Sequence, residues 1–311
     1  MKVILDCDPG HDDAIAIILA ASRISPLELE AITTVAGNVE VEKNTMNALK
    51  VCDMISLESV PVAQGATGPL VKKAVIAEEI HGETGLDGPK LPRHPSKTAI
   101  DQHAVDVIIE KLLTTNEPIT LIPTGPLTNI ALALIKEPRI KSNIREIVLM
   151  GGGTFGNWTP AAEFNIYVDA EAAKVVFESG IPIKMFGLDV THQVLATKQT
   201  VADLKSINHT IATFVSELLS FFIQAYKNQF DFDGGGPIHD ACTVAHLIDP
   251  TIFTFDHVHV DIETKGEYSY GMTVIDKHGV TGKQPNVYVA KGLDQGKFWS
   301  LFYNAIASYA E

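Results

Sequence analysis

Short apolar runs alternate with longer amphipathic stretches along the first 190 residues. The short runs predict buried strands at 3–5, 27–35, 60–63, 119–123, 146–150 and 183–188. The longer stretches predict helices at 14–21, 41–55, 99–114, 130–136, 170–179, 209–230 and 241–247. This alternation indicates an α/β protein with an open, mostly parallel sheet flanked by helices. Residues 254–289 predict strands with a hairpin and 298–310 a closing helix, all within one domain spanning 1–311.

Four carboxylates lie within eight residues at the end of the first predicted strand. The sequence DCDPGHDD (6–13) leaves this strand through a Pro-Gly turn, and its last two acids open the following helix. A single acid here is typical of a solvated turn or a helix cap, but a cap needs one side chain rather than four. Because like charges this close coexist most readily around a cation, we expect a site for Ca²⁺ or Mg²⁺.

Polar or glycine-rich turns also follow other predicted strands. Asn38 follows the second strand, Thr124 and Gly125 follow the fourth, and three glycines follow the fifth at 151–153. The carboxyl ends of parallel strands meet at one edge of a sheet, where open α/β proteins bind ligands. The glycines do not form a dinucleotide fingerprint, since no G-x-G-x-x-G opens a helix, and the chain has no P-loop motif. We expect these turns to form one site with the acids at 6–13.

Two later stretches contain further candidate side chains. The loop at 80–88 has three glycines, two acids and His81, a composition typical of a mobile surface loop or lid. His239 and Asp240 follow a glycine-rich turn and open a helix, where the helix dipole disfavours the charged form of the histidine. Three aromatic residues before this turn are candidates for packing or for stacking on a planar ligand: Tyr226, Phe230 and Phe232.

The composition argues against several functions. The 311 residues include 24 basic and 38 acidic ones, and the formal net charge of −14 disfavours binding to nucleic acids or anionic membranes. Three cysteines form neither a disulfide framework nor a CxxC pair, which fits a reducing cytosol. Because a strand is predicted directly at the start of the sequence, we expect no signal peptide, and no apolar run reaches the roughly 18 residues that span a bilayer. We therefore expect a cytoplasmic protein.

The motif at 6–13 resembles the D-x-D-P-G-x-D-D signature of the inosine–uridine nucleoside hydrolase family. Further similarities follow in order along nearly the whole chain: TTVAGN (33–38), PTGPLTN (123–129), VLMGG (148–152), AEFN (162–165) and HD (239–240). The resemblance implies the nucleoside hydrolase fold, with a Rossmann-like core. It also implies calcium-dependent hydrolysis of the N-glycosidic bond of ribonucleosides in nucleoside salvage, with uridine, cytidine and inosine as candidates, by a homodimer or homotetramer.

The resemblance implies a role for each matching residue. Calcium would be held by the carboxylates of Asp8, Asp13 and Asp240 and by the backbone carbonyl of Thr124. Asp8 would also be the general base for the attacking water, and His239 would protonate the leaving base. The expected substrate-binding residues, with His81 near the base, are Asp12, Asn38, His81, Asn157, Glu163, Phe164, Asn165 and Asp240. Asp6 would support the site without binding the ion directly.

The chemistry of N-glycosidic cleavage explains these residue types. Cleavage builds positive charge on the sugar, which nearby carboxylates stabilise, and negative charge on the base, which a histidine can protonate near neutral pH. A haloacid-dehalogenase-type phosphohydrolase also begins with a strand and D-x-D, but it has a different pattern after the second Asp. A non-catalytic nucleoside- or ribose-binding protein would not need both Asp8 as base and His239 as acid. The sequence leaves the choice between purine and pyrimidine bases open.

Overall fold

A nine-stranded mixed sheet forms the centre of the protein in the computed structural model, which describes residues 1–92, 94–231 and 234–310. The strands of this sheet and of a separate two-stranded ribbon (β7 and β8) are β1 (Lys2–Cys7), β2 (Glu28–Thr34), β3 (Val62–Gln64), β4 (Ile119–Pro123), β5 (Ile144–Met150), β6 (Ile183–Phe186), β7 (Leu195–Ala196), β8 (Gly236–Pro237), β9 (Phe253–Ile262), β10 (Thr273–Asp276) and β11 (Val287–Leu293). The main sheet has the order β10-β9-β11-β6-β5-β4-β1-β2-β3.

Helices cover the sheet. They are α1 (His11–Ala20), α2 (Val41–Met54), α3 (Glu78–His81), α4 (Ala104–Thr114), α5 (Thr128–Lys136), α6 (Phe164–Val168), α7 (Ala170–Phe177), α8 (Leu188–Thr191), α9 (Lys198–Ser206), α10 (Thr210–Phe230), α11 (Ala241–Ile248) and α12 (Gln295–Ala307). Short 3₁₀ helices occupy Pro138–Asn143, Pro250–Ile252 and Ser308–Ala310. None of the helices in the described part of the chain is both long and apolar enough to cross a membrane.

Alternating side chains of the strands supply two hydrophobic cores, one on each face of the sheet. Val3 and Leu5 of β1 pack on one face with apolar residues of α1, α10, α11 and α12, whereas Ile4 packs on the other face with residues of α4, α5 and α7. Burial on both faces explains why β1 is apolar at successive positions instead of alternating.

The predicted α/β fold is confirmed, with most strands pairing in parallel. The pairs β1–β2, β2–β3, β1–β4, β4–β5, β5–β6 and β6–β11 are parallel, and β9 pairs antiparallel with both β10 and β11. The predicted C-terminal hairpin corresponds to β9 and β10, and the closing helix α12 begins at Gln295, three residues earlier than predicted. Asp294 caps it by accepting a hydrogen bond from the backbone N–H of Lys297 at 3.1 Å.

Among the predicted boundaries that differ from the structure are the start of one helix and the end of one strand, and a tertiary contact explains the first. The helix predicted over 99–114 begins at Ala104, because Ile100 instead forms a bridge with Ala63 of the neighbouring strand. The strand predicted over 183–188 ends at Phe186, and Leu188 begins the short helix α8 after Gly187. This second difference positions Thr191, which contacts the site described below.

Candidate active site

The loops after β1, β2, β4 and β5 meet at one edge of the sheet, as the sequence predicted. Parallel register aligns the strand ends, with Asp6 of β1 opposite Thr33 of β2 and Pro123 of β4. A cavity of about 470 Å³ opens at this edge. Of the predicted site residues, all except Asp8 and Asp13 line it: Asp12, Asn38, His81, Thr124, Asn157, Glu163, Phe164, Asn165, His239 and Asp240.

Three buried carboxylates form a tight cluster in this site. Asp12 and Asp13 come from the first turn of α1, and Asp240 comes from the N-cap position of α11. Each offers an oxygen that lies within 4.8 Å of those of the other two. The Thr124 hydroxyl donates to Asp13 Oδ1 at 2.8 Å, and the Gly10 N–H donates to Asp13 Oδ2 at 3.1 Å. Oxygen donors at this spacing suit a hard divalent cation.

The Asp8 carboxylate lies against two glycines beside this cluster. A β-carbon at Gly37 or at Gly125 would collide with the carboxylate, so both positions require the absence of a side chain. Asp8 Oδ2 accepts a hydrogen bond from the Asn38 N–H at 2.7 Å. Asp8 Oδ1 is buried and has no hydrogen-bond partner among the described residues. Since a buried charged oxygen without a partner is costly, Asp8 Oδ1 fits a cation ligand.

Burial raises the pKa of every carboxyl in this group, and repulsion by neighbouring acids adds to the shift for Asp8, Asp12 and Asp240. Burial is the main cause and raises the pKa of Asp8 and Asp240 well above the usual range, with neighbouring acids adding to the shift. Burial raises the pKa of Asp12 to about 7, and that of Asp13 rises in the same direction. The carboxylates therefore need a compensating positive charge to be ionised together at neutral pH, which a divalent cation provides.

Asp6 lies behind this group and is tied to the neighbouring strands. Its Oδ1 accepts hydrogen bonds from the Thr33 hydroxyl at 2.6 Å and from Asn129 Nδ2 at 2.8 Å. Burial raises its pKa to about 7. These contacts hold the end of β1 against β2 and α5, consistent with the supporting role expected for Asp6.

Glu163 and the asparagines form a second polar wall of the cavity. Glu163 caps α6 by accepting N–H groups of Asn165 at 2.9 Å and Ile166 at 3.1 Å, and it also accepts the N–H of Gly152 at 2.9 Å. Gly152 has φ +75°, a conformation that favours glycine, which explains one residue of the triple-glycine turn. Asn165 Nδ2 donates to the Thr124 carbonyl at 2.7 Å. That carbonyl, a predicted ligand, keeps a second lone pair.

His81 is held over the turn of the first motif. Its Nδ1 lies 3.3 Å from His11 Nδ1, and a β-carbon on Gly10 would collide with its ring. The His11 ring stacks on Phe221 with centroids 5.0 Å apart and an interplanar angle of 3°. The predicted lid loop thus contains the short helix α3 and packs against α1 and α10. Sequence reasoning missed His11, although it lies within the first motif.

His239 lies between a threonine and a tyrosine. Its Nδ1 is 2.7 Å from the Thr191 hydroxyl, and its Nε2 is 3.3 Å from the Tyr226 hydroxyl. Burial lowers the pKa of His239 well below its usual value, and it lowers that of His81 in the same way. The long helix α10 contributes Phe222, Tyr226 and Phe230 to the cavity wall, whereas Phe232 lies outside the described residues.

The matches to known proteins cover nearly the whole chain. A sequence model of the family described as "Inosine-uridine preferring nucleoside hydrolase" matches residues 3–300. A protein of Shewanella woodyi named "Pyrimidine-specific ribonucleoside hydrolase RihA" is 49% identical, with 99% of this chain and 98% of that protein aligned. A protein of Escherichia coli with the same name is 45% identical, with 100% and 99% aligned.

A solved structure is also similar over its full length. The structure described as "Purine-Preferring Ribonucleoside Hydrolase from Gardnerella vaginalis" has a TM-score of 0.92 and 35% identity, covering 100% of this chain and 99% of that one. The names of these proteins thus refer to pyrimidine substrates in one case and to purine substrates in the other. This chain is more identical in sequence to the proteins named pyrimidine-specific than to the structure named purine-preferring.

Proposed function

The chain belongs to the inosine-uridine preferring nucleoside hydrolase family and is a ribonucleoside hydrolase that releases ribose and a free base, and on this premise we propose that it prefers pyrimidine ribonucleosides. The preference is supported by the 45–49% identity to relatives named pyrimidine-specific, against 35% to the structure named purine-preferring. The hydrolytic role is carried by one observation: Asp12 and Asp240 of the buried carboxylate cluster line the same cavity as His239.

We further propose that the site holds Ca²⁺ through the carboxylates of Asp8, Asp13 and Asp240 and the backbone carbonyl of Thr124. The unpartnered Asp8 Oδ1, the close approach of Asp13 to Asp240 and the purely oxygen donor set support this choice. When bound, the ion would polarise water and hold vicinal hydroxyls of a sugar. Asp12 belongs to the same cluster and also lines the cavity. Its carboxylate would therefore accept a hydrogen bond from a hydroxyl group of the sugar.

Different residues of the chain would act on the water and on the sugar. Asp8 would remove a proton from the attacking water, and the hydrogen bond from the Asn38 N–H to its Oδ2 would hold the carboxylate in place. The ribose hydroxyls would be bound by Asp12, Asn38, Asn157, Glu163, Asn165 and Asp240. Several of these polar groups are already oriented by hydrogen bonds to the backbone, so binding orders few new groups. Phe164 would contact an apolar surface of the substrate.

The opposite wall would bind the base. His239 would donate a proton to the leaving base from Nε2, the nitrogen that faces Tyr226 and the cavity. His81 lines the same cavity and stacks near Phe222, with ring centroids 5.6 Å apart, so it would contact the base. We also propose a cytoplasmic location. We further propose that the protein is a homodimer or homotetramer, and light scattering would measure the mass of this assembly.

We expect uridine and cytidine to be hydrolysed with kcat/KM at least about 10-fold higher than inosine and adenosine, because binding contacts in one base pocket give discrimination of this order. Ribose release from each nucleoside by the purified full chain, with Ca²⁺ present, measures this preference. Equal or faster release from inosine would contradict the pyrimidine preference. Binding without ribose release would favour a binding protein, and phosphate release from nucleotides would favour a phosphohydrolase.

A further inference from the structure

The Thr191 side chain contacts the histidine from the side opposite the cavity. Thr191 ends the short helix α8, is fully buried, and places its hydroxyl 2.7 Å from His239 Nδ1. Its backbone groups are already used, because its N–H donates to the Gly187 carbonyl and its carbonyl accepts from the Val194 N–H. Backbone hydrogen bonds therefore hold Thr191 in α8, and its hydroxyl is directed at the histidine.

Within the part of the chain that the structure describes, the hydroxyl proton of Thr191 has one acceptor. Among the residues that the structure describes, His239 Nδ1 is the hydrogen-bond partner recorded for this hydroxyl. If Nδ1 carried the proton and donated to Thr191, the hydroxyl proton would lack an acceptor among the described residues, which is costly for a fully buried side chain. If Thr191 donates, the contact is satisfied, and the proton of neutral His239 must lie on Nε2.

Tyr226 is the competitor for this choice, since its hydroxyl lies 3.3 Å from His239 Nε2 and can donate to Nε2 only when the proton of neutral His239 is on Nδ1. Tyr226 differs from Thr191 because it lines the cavity and also hydrogen-bonds the Asn157 side chain. Its proton can therefore go to water or to a substrate, whereas the proton of Thr191 cannot. The shorter contact, at 2.7 Å, also belongs to Thr191.

We propose that Thr191 is a positioning residue that fixes neutral His239 in the tautomer protonated at Nε2, whose N–H donates a hydrogen bond to the leaving base and stabilises the negative charge that develops there. The proposal deepens the proposed function and rests on the assignment of His239 as the group that faces the leaving base. Without substrate, Nε2–H donates to the Tyr226 oxygen, and an entering base takes the place of this acceptor. The hydrogen bond from Thr191 to Nδ1 also fixes the plane of the His239 ring, so Nε2–H stays aligned with the base while the C–N bond breaks.

The tautomer is measured directly by NMR of the full chain labelled with ¹⁵N-histidine and saturated with Ca²⁺. Protonated and bare imidazole nitrogens give well-separated ¹⁵N signals, and the His239→Gln variant assigns the resonances of His239. We expect a bare Nδ1 and a protonated Nε2 in the wild type. A protonated Nδ1, alone or together with a protonated Nε2, would overturn the proposal whatever the activity of the enzyme.

Kinetics of Thr191→Val test the consequence, since valine keeps the shape and removes the hydroxyl. We expect kcat for uridine to fall about 10–100-fold with little change in KM, as for other groups that orient a catalytic side chain. Hydrolysis of 4-nitrophenyl riboside should fall much less, because its leaving group needs no proton. Thr191→Ser should restore most of the uridine activity and the wild-type ¹⁵N pattern.

Thr120→Val is the matched control, because Thr120 is a fully buried strand threonine whose recorded hydroxyl contact is with Met1 Sδ at 3.8 Å. We expect it to leave both substrates and the His239 spectrum unchanged. Equal losses on both substrates in Thr191→Val, or no rescue by serine, would contradict the positioning role. If His239→Ala itself affected both substrates equally, the proton-donor assignment would fail while the NMR result would still decide the tautomer.

Discussion

Asp8→Asn should lower kcat for uridine by about 10³-fold or more, because it removes a general base and a ligand of the proposed ion together. Asparagine has nearly the same shape, so it fits between Gly37 and Gly125 without a collision. Its amide cannot accept a proton from water. Ribose release by the purified variant at saturating Ca²⁺ measures the loss.

The same substitution should stabilise the metal-free protein, which separates loss of function from loss of folding. Burial raises the pKa of Asp8, so its ionised form opposes folding once the pH exceeds the ordinary carboxyl pKa of about 4. A neutral asparagine removes this penalty and the repulsion from Asp12 and Asp13 at neutral pH. We expect a higher Tm than the wild type in chelator.

Asp106→Asn is the matched control for Asp8→Asn. Asp106 lies on α4, is partly exposed and pairs with Lys136, so its removal should change neither kcat nor Tm by much. A lower Tm for metal-free Asp8→Asn than for the metal-free wild type would contradict the account of the acidic cluster. Retention of wild-type kcat in Asp8→Asn would contradict its role as base.

His239→Ala should lower kcat for uridine by about 10²–10⁴-fold, the range typical of general acid catalysis. The loss should be much smaller for 4-nitrophenyl riboside, whose leaving group departs without a proton. Comparison of kcat for the two substrates isolates protonation of the base from other effects of the substitution.

His257→Ala serves as the control for His239→Ala, because His257 is an exposed histidine on β9 that stacks on Tyr288 and is not among the residues that line the cavity. It should keep wild-type kcat on both substrates. Equal losses on uridine and 4-nitrophenyl riboside in His239→Ala would show that the histidine shapes the site without donating the proton.

Local sequence patterns were sufficient to predict the edge of the sheet where the site lies. The apolar run of β1, the Pro-Gly turn and the acids at the start of α1 are neighbours in sequence, so their geometry follows from local rules. Asn38 and Thr124 could be placed near them because parallel strands end at a common edge. The individual roles came from the family resemblance and stay proposals.

Features that depend on contacts between distant segments were not predictable in this way. The insertion of β11 between β6 and β9 joins segments about 100 residues apart, and no local pattern specifies it. Likewise, His81 meets His11 across 70 residues, and Thr191 meets His239 across 48. Helix α8 has four residues, too few to show helical periodicity, so its contact with the histidine was invisible in the sequence.

The most direct measurement of the central claim is a calorimetric titration of Ca²⁺ into chelator-treated protein, with ribose release from uridine followed in the same samples. The account predicts one bound ion per chain, recovery of activity in proportion to the bound ion, and much weaker binding to Asp8→Asn than to Asp106→Asn. Full ribose release by the metal-free protein, or equal Ca²⁺ affinity in the two variants, would contradict it.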